Sequence, residues 1–448
     1  MKKLLEQVLP PVNEPSRRAR AAGTPGVFRD MGCFILGRAL DPKGPTDKGI
    51  GRLVRAERRL GSKDRPMIVG TLFGVLRRRS LLEKLLEIVD HPVDTISLWQ
   101  AELILSHSID PADFGLPAAL SDPMACLAKW RDFDAPLDNE AIATLASLPK
   151  WIVEALSEQE PVEDLATLCA SLSSIPQTTL RVNCGKTTVE ALSERLRGEG
   201  VGVESGLHAL EALRVEGRPN LIGSSAYKEG LFEIQDEASQ MIADLVEPIR
   251  GGLVLDYCAG SGGKTLAMAA RMPRGGKILA TDPRRKALAQ AEKRIARAGA
   301  KRVRFHWSES GPLPIAPQSA ARVLVDAPCT GIGSLRHQPV RKWRLLPGEL
   351  PDQTARQASI LDSASKWVSP GGRLIYATCS LLRAENEDVV EGFLEKHPDW
   401  RTISIREVLG RTRSRSFERG GLFRSSPHLH ATDGFTAAIL VAPRNESP

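Results

Sequence analysis

The sequence VLVDAPCT, at residues 323–330, decides how the C-terminal half of the chain is interpreted. Its leading apolar residues predict a buried strand, which ends at Asp326 and is followed by Cys329. Pro328 fixes φ and lacks a backbone N–H, so the chain must leave the sheet there. Ligands of open α/β sheets bind at the carboxyl ends of the strands. The stretch therefore places a carboxylate and a thiol where we expect an active site.

A second apolar run, at residues 374–377, ends in Thr378-Cys379-Ser380. If the two runs form neighbouring parallel strands, Cys329 and Cys379 meet in one crevice and form a two-thiol site. Either cysteine alone would more often be a small buried residue without reactivity. Because both follow the same strand-then-turn pattern, we favour the functional interpretation of the pair.

The composition indicates a soluble globular protein. The 448 residues, of which 42% are hydrophobic and 26% charged, predict about three domains. No apolar run is as long as a membrane span, and Glu6 and Pro10 interrupt the N-terminus before an apolar signal segment can form. The seven cysteines include no C-x-x-C pair, and the histidines lack metal-ligand spacing. We therefore expect a cytoplasmic protein without a membrane or metal partner.

Positive charge is concentrated towards the two ends of the chain. Residues 1–89 carry 19 Lys and Arg against 9 Asp and Glu, whereas residues 90–170 carry 3 against 15. Residues 171–448 carry 39 against 30. This distribution favours a polyanionic partner, with the acidic middle segment facing away from it. A solvated basic surface without a partner is the alternative.

The apolar patterns predict three domains. Residues 1–172 show helical spacing, and residues 173–246 combine strands and helices in a small α+β module. At residues 247–448 strand and helix patterns alternate, which is typical of an α/β doubly wound sheet. The run Arg77-Arg78-Arg79 would either bind phosphate or cap the negative end of a helix. Helices predicted around it are Arg29–Leu40, Ile50–Leu60, Met67–Arg78, Leu81–Val89 and Thr95–Leu105.

A glycine-rich loop follows the first strand of the predicted doubly wound sheet. Glycines let the backbone approach a ligand, and the start of the next helix favours an anion or carboxylate. A P-loop is excluded because Cys258 occupies the position of its first glycine. Asp282, at the tip of the next strand, would accept both ribose hydroxyls of a nucleoside cofactor, or cap the helix after Pro283. The loop residues are Cys258, Ala259, Gly260, Ser261, Gly262, Gly263 and Lys264.

These motifs, in their order along the chain, resemble the RsmB/NOP (Sun) family of RNA cytosine-C5 methyltransferases, which use S-adenosylmethionine. The resemblance spans about residues 178–442 and implies a class I methyltransferase sheet. More weakly, residues 59–78 resemble the all-helical NusB-like RNA-binding domain that bacterial members carry at the N-terminus. The matching motifs are DYCAGSGGKT (256–265), Asp282, DAPCTGIG (326–333), Lys342-Trp343, Thr378-Cys379-Ser380 and SPHLHATDGF (426–435).

The resemblance implies a role for each catalytic residue. Cys379 would add to carbon 6 of cytosine and make carbon 5 nucleophilic, while Cys329 would assist proton removal and release. Asp326 would hydrogen-bond the base at N3 and N4, and Lys342 would hold the base or lower a thiol pKa. The target base would have to be unpaired or swung out of its stack. The residues implied to bind the cofactor are the loop Cys258–Lys264, Asp282 and Asp326.

The sequence departs from the family pattern in the cofactor region. Ser261 stands where proline is usual, which should alter loop rigidity more than chemistry. Glu309 is the acid nearest to the position that touches adenine in the family, and Trp307 would stack on adenine or simply pack. The arginine-rich loop at 411–415, with Arg419 and Arg424, would contact RNA phosphates or form a solvated disordered loop.

Together these expectations describe a monomeric enzyme that methylates carbon 5 of a cytosine in RNA. Ribosomal RNA is the favoured substrate, and the small subunit the favoured source. One alternative is a non-enzymatic RNA-binding or ribosome-assembly factor on a methyltransferase fold, which the presence of both cysteines, Asp326 and Lys342 disfavours. Another is a tRNA or DNA cytosine-C5 methyltransferase. DNA enzymes use the Pro-Cys cysteine as nucleophile, so the Thr-Cys motif disfavours a DNA methyltransferase.

Overall fold

The computed structural model describes residues 1–10, 13–14 and 16–444, in two units. The first, the helical unit, comprises residues 1–175 and 334–347. The second, the sheet unit, comprises residues 176–333 and 348–448. The small module and the large sheet thus share one unit, while the division into three domains stays a prediction.

The first 175 residues are helical, as the apolar spacing predicts. The buried helix faces form one hydrophobic core that includes Leu72, Leu85 and Trp99. Asp94 and Ser97 form a capping box, which satisfies free N–H groups at a helix start. The helices are α1 (Lys2–Val8), α2 (Arg17–Gly23), α3 (Val27–Leu40), α4 (Asp47–Ala56), α5 (Asp64–Ile88), α6 (Thr95–His107), α7 (Pro123–Ala128), α8 (Asn139–Ala146), α9 (Lys150–Ser157) and α10 (Val162–Ser173).

Helix α5 joins two helices that the sequence predicts separately, with a kink between them. Arg78 has non-helical backbone angles there, φ −112° and ψ 17°. Its guanidinium is buried and pairs with Glu102, with Nε 2.9 Å from Oε2. Arg77 is also buried, at 8% exposure. Burial of Arg77 and Arg78 contradicts the phosphate-binding interpretation for these two residues. Arg77 Nη1 donates to the carbonyl of Phe73 at 3.5 Å, in the last turn before the kink, which agrees with the capping interpretation.

The small module is an antiparallel four-stranded sheet with the strand order β2-β3-β1-β4. Leu180, Leu196 and Phe232 belong to its core. The sequence pattern missed β2, whose three residues include one buried side chain and therefore show no alternation. Its elements are β1 (Thr178–Val182), α11 (Val189–Gly198), β2 (Val203–Ser205), β3 (Ala212–Val215), α12 (Ser225–Lys228) and β4 (Phe232–Ile234), and α13 (Glu237–Val246) follows.

The large sheet has the strand order β11-β12-β13-β9-β8-β5-β6-β7, with β10 paired to β13. Strands β5 to β9 run parallel, and β13 pairs antiparallel with β9. The chain order reverses between β5 and β8, and ligands of open α/β sheets bind at such a switch point. The strands are β5 (Leu253–Asp256), β6 (Lys277–Asp282), β7 (Val303–Trp307), β8 (Ala320–Asp326), β9 (Val368–Thr378), β10 (Arg401–Ile403), β11 (Glu418–Arg419), β12 (Leu422–Ser425) and β13 (Phe435–Val441).

Helices cover both faces of the large sheet. Leu324 packs in a cluster with residues of α13, whereas Val323 and Val325 pack in a cluster with Leu361 and with other residues of the opposite face. A strand buried on both faces reads as an uninterrupted apolar run, which explains the VLV signal. The remaining helices are α14 (Gly263–Ala270), α15 (Arg285–Ala298), α16 (Pro339–Lys342, in the helical unit), α17 (Leu350–Ser365), α18 (Glu387–Lys396), α19 (Arg406–Ser414) and α20 (Pro427–His430).

The predicted arginine-rich loop is helical instead. Residues 411–414 lie in α19, and Arg413 pairs with Asp244, while Arg424 donates to the carbonyl of Leu381 at 2.9 Å. The interpretation of a flexible loop is therefore wrong, because partners within the sheet unit order these arginines. Across the described residues, no helix combines the length and the apolar character that crossing a membrane requires.

Candidate active site

Three carboxylates end three adjacent parallel strands at the switch point. Asp256 ends β5, Asp282 ends β6 and Asp326 ends β8. The strand order β8-β5-β6 places them at one edge of the sheet. This is the edge at which the sequence predicts the ligand site.

The glycine-rich loop packs tightly beside these carboxylates. Gly260 and Gly262 have positive φ angles of 54° and 80°, which other residues adopt with strain. A Cβ at Gly262 would lie 2.8 Å from the Cβ of Ala291 in α15. The N–H of Gly260 donates to Oδ2 of Asp282 at 2.8 Å. The loop is therefore fixed to the tip of β6 as well as to β5.

Asp282 is a buried carboxylate with several donors. It is 1% exposed and also accepts from the N–H of Arg284 at 2.8 Å and from the Arg284 guanidinium at 2.9 Å. Burial raises the pKa of Asp282, but the bonds from Arg284 and Gly260 outweigh it and hold that pKa below its usual value. Asp282 therefore remains an anion. The N-cap residue of α15 is Arg284, without a side-chain capping hydrogen bond, so Asp282 does not cap this helix.

Lys264 connects the glycine-rich loop to Asp326. Its Nζ lies 2.7 Å from Oδ2 of Asp326, and the side chain is largely buried. The ammonium also lies 4.7 Å from the centre of the Phe435 ring, a cation–π contact. The sequence assigns Lys264 to the cofactor loop, and the structure shows that it also orients the Asp326 carboxylate.

The two predicted cysteines meet. Strands β8 and β9 are parallel neighbours, and the sulfur atoms of Cys329 and Cys379 lie 3.2 Å apart. The shared hydrogen bond and burial raise the pKa of Cys329 well above its usual value. A protonated Cys329 can donate its hydrogen to the Cys379 sulfur.

Comparisons with known proteins agree with this geometry. A model of the family 16S rRNA methyltransferase RsmB/F matches residues 243–441, and a model of the ferredoxin-like domain of RsmF/B-like methyltransferases matches residues 148–221. The probable ribosomal RNA small subunit methyltransferase B of Bacillus subtilis is 30% identical over 306 residues, which cover 68% of this chain and 68% of that protein. The chain belongs to the RsmB/F methyltransferase family.

Further members and a solved structure extend the match over most of the chain. The probable ribosomal RNA small subunit methyltransferase B of Synechocystis is 28% identical over 425 residues, which cover 88% of this chain and 95% of that protein. The crystal structure of PH0851 has a TM-score of 0.72 at 25% identity and covers 91% of this chain and 98% of that one. The predicted family, fold class and S-adenosylmethionine dependence are confirmed.

The RsmB/F site has groups suited to S-adenosylmethionine. Oδ1 of Asp256 is buried and has no hydrogen-bond partner in the described part of the chain. Burial raises the pKa of this carboxyl to about 7. The positive-φ glycines keep space for a ligand beside the backbone, and Asp282 offers an anion for ribose hydroxyls. The Arg284 side chain that now binds Asp282 is 68% exposed, so it can turn to solvent when hydroxyls replace it.

The remaining cofactor-region residues have smaller roles. Burial raises the pKa of the Cys258 thiol, so this thiol stays neutral beside the predicted cofactor site. Trp307, on β7, lies opposite Asp282 of β6 in the strand register. Its indole donates to the carbonyl of Pro283 at 2.8 Å. Glu309 is exposed in a short 3₁₀ turn.

Lys342 belongs to the helical unit, whereas the strand ends belong to the sheet unit. The residue is 1% exposed, and its Nζ donates to the carbonyl of Arg77 at 3.0 Å and to Ser173 Oγ at 3.1 Å. Trp343 donates to the carbonyl of Leu76 at 2.7 Å. A kink leaves carbonyls without their helical partners, and these two side chains satisfy them. The contacts therefore give Lys342 a structural role, and the catalytic role implied by the family resemblance stays a prediction.

Two buried polar residues beside the thiols were missed by the sequence reasoning. Glu385 and Asn386 are 0% and 1% exposed. Both precede the amphipathic helix α18, and an asparagine there reads as an ordinary helix cap. The signal that could have revealed them is their position six and seven residues after Cys379, which is close enough to fold back onto its loop.

Proposed function

We propose that this protein transfers the methyl group of S-adenosylmethionine to carbon 5 of a cytosine in small-subunit ribosomal RNA. The 3.2 Å separation of the Cys329 and Cys379 sulfur atoms, beside the carboxylate Asp326, carries the proposal. Two adjacent thiols suit covalent activation of a pyrimidine followed by release. The ribosomal RNA substrate is the one named for the family and for the Bacillus subtilis relative.

In the proposed reaction Cys379 is the nucleophile. Its sulfur forms a bond to carbon 6, and the electrons of the ring double bond make carbon 5 nucleophilic. The Asp326 carboxylate, oriented by Lys264, accepts hydrogen bonds from the exocyclic amine and from a proton at N3. S-adenosylmethionine supplies an electrophilic methyl group to carbon 5.

Release requires the second thiol. After methylation, carbon 5 carries both a methyl group and its original proton. Once Cys379 is bonded to carbon 6 it no longer raises the pKa of Cys329, which loses its proton to water and, as a thiolate, accepts the proton of carbon 5. The electrons of that C–H bond restore the ring double bond, and the bond between carbon 6 and the Cys379 sulfur breaks. Cys379 leaves as a thiolate, for which a protonated Cys329 at 3.2 Å is a suitable hydrogen-bond donor.

The substrate is tested with RNA from a strain that lacks the gene. The purified protein is incubated with small-subunit ribosomal RNA, transfer RNA or DNA, each with methyl-labelled S-adenosylmethionine, and the digested nucleosides are separated. We expect 5-methylcytidine from the ribosomal RNA alone. Label in transfer RNA or DNA alone would change the substrate class, and label in another nucleoside would refute the cytosine-C5 chemistry. Cofactor binding without label in any nucleic acid would favour an RNA-binding factor.

A further inference from the structure

The loop that carries Cys329 is tied to one buried carboxylate. Glu385 accepts the N–H of Thr330 at 2.8 Å, as well as the Thr330 hydroxyl. Gln357 donates one amide group both to Glu385 at 2.9 Å and to the carbonyl of Pro328 at 2.9 Å. Glu385 and its hydrogen-bond partner Gln357 thus fix the residues on either side of Cys329.

The loop that carries Cys379 is hydrogen-bonded to Asn386, the residue that follows Glu385. The Thr378 hydroxyl donates to Oδ1 of Asn386 at 2.6 Å. The Asn386 amide donates to the carbonyls of Ser380 at 3.2 Å and Leu382 at 2.8 Å. One side chain therefore holds the residues on both sides of Cys379.

A capping role does not explain these side chains. Asn386 stands at the N-cap position of α18, but its side chain makes no capping hydrogen bond. The hydroxyl of Tyr376, on β9, donates to the main-chain carbonyl of Glu385 at 2.7 Å and fixes the backbone between the two loops. Thr330 and Ser380 meet through their hydroxyls at 3.3 Å, which links the loops directly.

We propose that Glu385 and Asn386 are a positioning pair that sets the separation and orientation of the Cys329 and Cys379 thiols, one residue acting on each loop. The inference rests on the proposed two-thiol function for its catalytic consequence. Because reacting atoms must be aligned within a fraction of an ångström, a small displacement of either loop lowers the rate without removing a reacting group.

The Glu385 charge gives the proposal a distinctive signature. Hydrogen bonding to Cys379 and burial raise the pKa of Cys329 most, and the charges of Cys379, Glu385 and Asp326 raise it further. The buried phenol of Tyr376 also faces Cys329. Removing the carboxylate charge should therefore lower the pKa of the Cys329 thiol. General loosening of the fold would also lower this pKa by relieving burial, but it would change the Cys379 alkylation profile and weaken S-adenosylmethionine binding as well.

The test compares Glu385→Gln and Asn386→Ala with the wild-type protein. Glu391→Gln is the matched control, because it makes the same change in an exposed residue of α18. Thr330→Val is a milder variant that removes one donor to Glu385. Each protein is alkylated with iodoacetamide across a pH series, and mass spectrometry of the peptides gives separate rates for Cys329 and Cys379. Methyl transfer is measured in parallel, with the dissociation constant for S-adenosylmethionine as the check on folding.

We expect Glu385→Gln to shift the midpoint of Cys329 alkylation to lower pH. Asn386→Ala should change the alkylation rate of Cys379 and leave the Cys329 midpoint in place. Both variants should lower kcat by roughly 10- to 100-fold with S-adenosylmethionine affinity unchanged. Glu391→Gln should match the wild type in every readout, and Thr330→Val should show a smaller loss of kcat. If a pair variant fails to fold, Thr330→Val still tests the contact with Glu385.

Unchanged alkylation profiles and unchanged kcat in Glu385→Gln, Asn386→Ala and Thr330→Val would overturn the inference. A loss of kcat that appears only together with weaker S-adenosylmethionine binding would also overturn it, because it would indicate general destabilisation. Thiol alkylation does not depend on methyl transfer. Shifted profiles in a protein that forms no 5-methylcytidine would therefore refute the proposed function and leave the positioning role intact.

Discussion

Cys329 and Cys379 lie at the ends of neighbouring parallel strands, with their sulfur atoms 3.2 Å apart. The shared hydrogen bond and burial raise the pKa of Cys329 well above its usual value. A thiol that keeps its hydrogen beside Cys379 supports the proposed division of labour, in which Cys379 attacks and Cys329 assists release.

Asp326→Asn should abolish most of the activity. The isosteric amide keeps the shape of the side chain, but it cannot stabilise a proton at N3 of the base as a carboxylate does. We expect kcat to fall by about 10²- to 10⁴-fold, measured in single turnovers with labelled S-adenosylmethionine. Asp352→Asn, in an exposed position of α17, is the control. Near-normal turnover in Asp326→Asn would remove this residue from the mechanism.

Asp282→Asn should weaken cofactor binding. The Asp282 carboxylate is an anion, and hydrogen bonds to charged groups contribute about 1.5–3 kcal/mol. We therefore expect the dissociation constant to rise at least about tenfold by calorimetry. Because its pKa lies below the usual 3.8, the Asp282 contribution should be constant around neutral pH and decline only in strong acid. Asp399→Asn, on an exposed turn, should bind normally, and equal affinities of both variants would contradict the assignment.

Lys342→Met should affect stability rather than catalysis. Methionine cannot donate to the carbonyl of Arg77, and leaving a buried acceptor unsatisfied costs about 1–3 kcal/mol. We expect a lower Tm with kcat per folded molecule unchanged. A large loss of kcat at an unchanged Tm would instead restore the catalytic role that the family resemblance implies.

The same lysine predicts a pH dependence of stability. Burial, with a contribution from the charges of Arg77 and Arg78, lowers the pKa of Lys342 well below 10.5. Between its folded and unfolded pKa values the unfolded chain binds more protons, so this residue makes the protein more stable as pH rises towards 10.5. The Tm difference between wild type and Lys342→Met should therefore grow over that range. A difference that is constant or shrinks would contradict the neutral buried amine.

The sequence predicts the sheet well because strands that are buried on both faces appear as continuous apolar runs. Such runs can be recognised without knowing which strands lie beside them. The apolar runs that precede the two cysteines lie in the neighbouring parallel strands β8 and β9, and the two cysteine motifs meet as expected. The arginines at 78 and 413 were misinterpreted because buried acids, Glu102 and Asp244, pair with them. These acids lie far away in the sequence, so local charge could not reveal them.

The prediction of the site was incomplete because contacts between residues distant in the sequence decide it as well. Lys342 follows the Cys329 motif closely in sequence, yet its segment packs within the helical unit. Glu385 and Asn386 look like the start of a helix, and only the folded loops show that their side chains hold the cysteines. Spacing along the chain thus predicted the two thiols that meet, but not the buried residues that hold their loops.

The central claim is that Cys379 forms the covalent bond to RNA and that Cys329 is needed for its release. The direct measurement treats wild type, Cys379→Ala and Cys329→Ala with small-subunit ribosomal RNA and S-adenosylmethionine, then scores protein–RNA adducts that survive denaturation. We predict that adducts accumulate in Cys329→Ala, where the bonded peptide contains Cys379, and are absent from Cys379→Ala. Adducts on Cys329 in the Cys379→Ala protein would contradict the account, because they would make Cys329 the nucleophile.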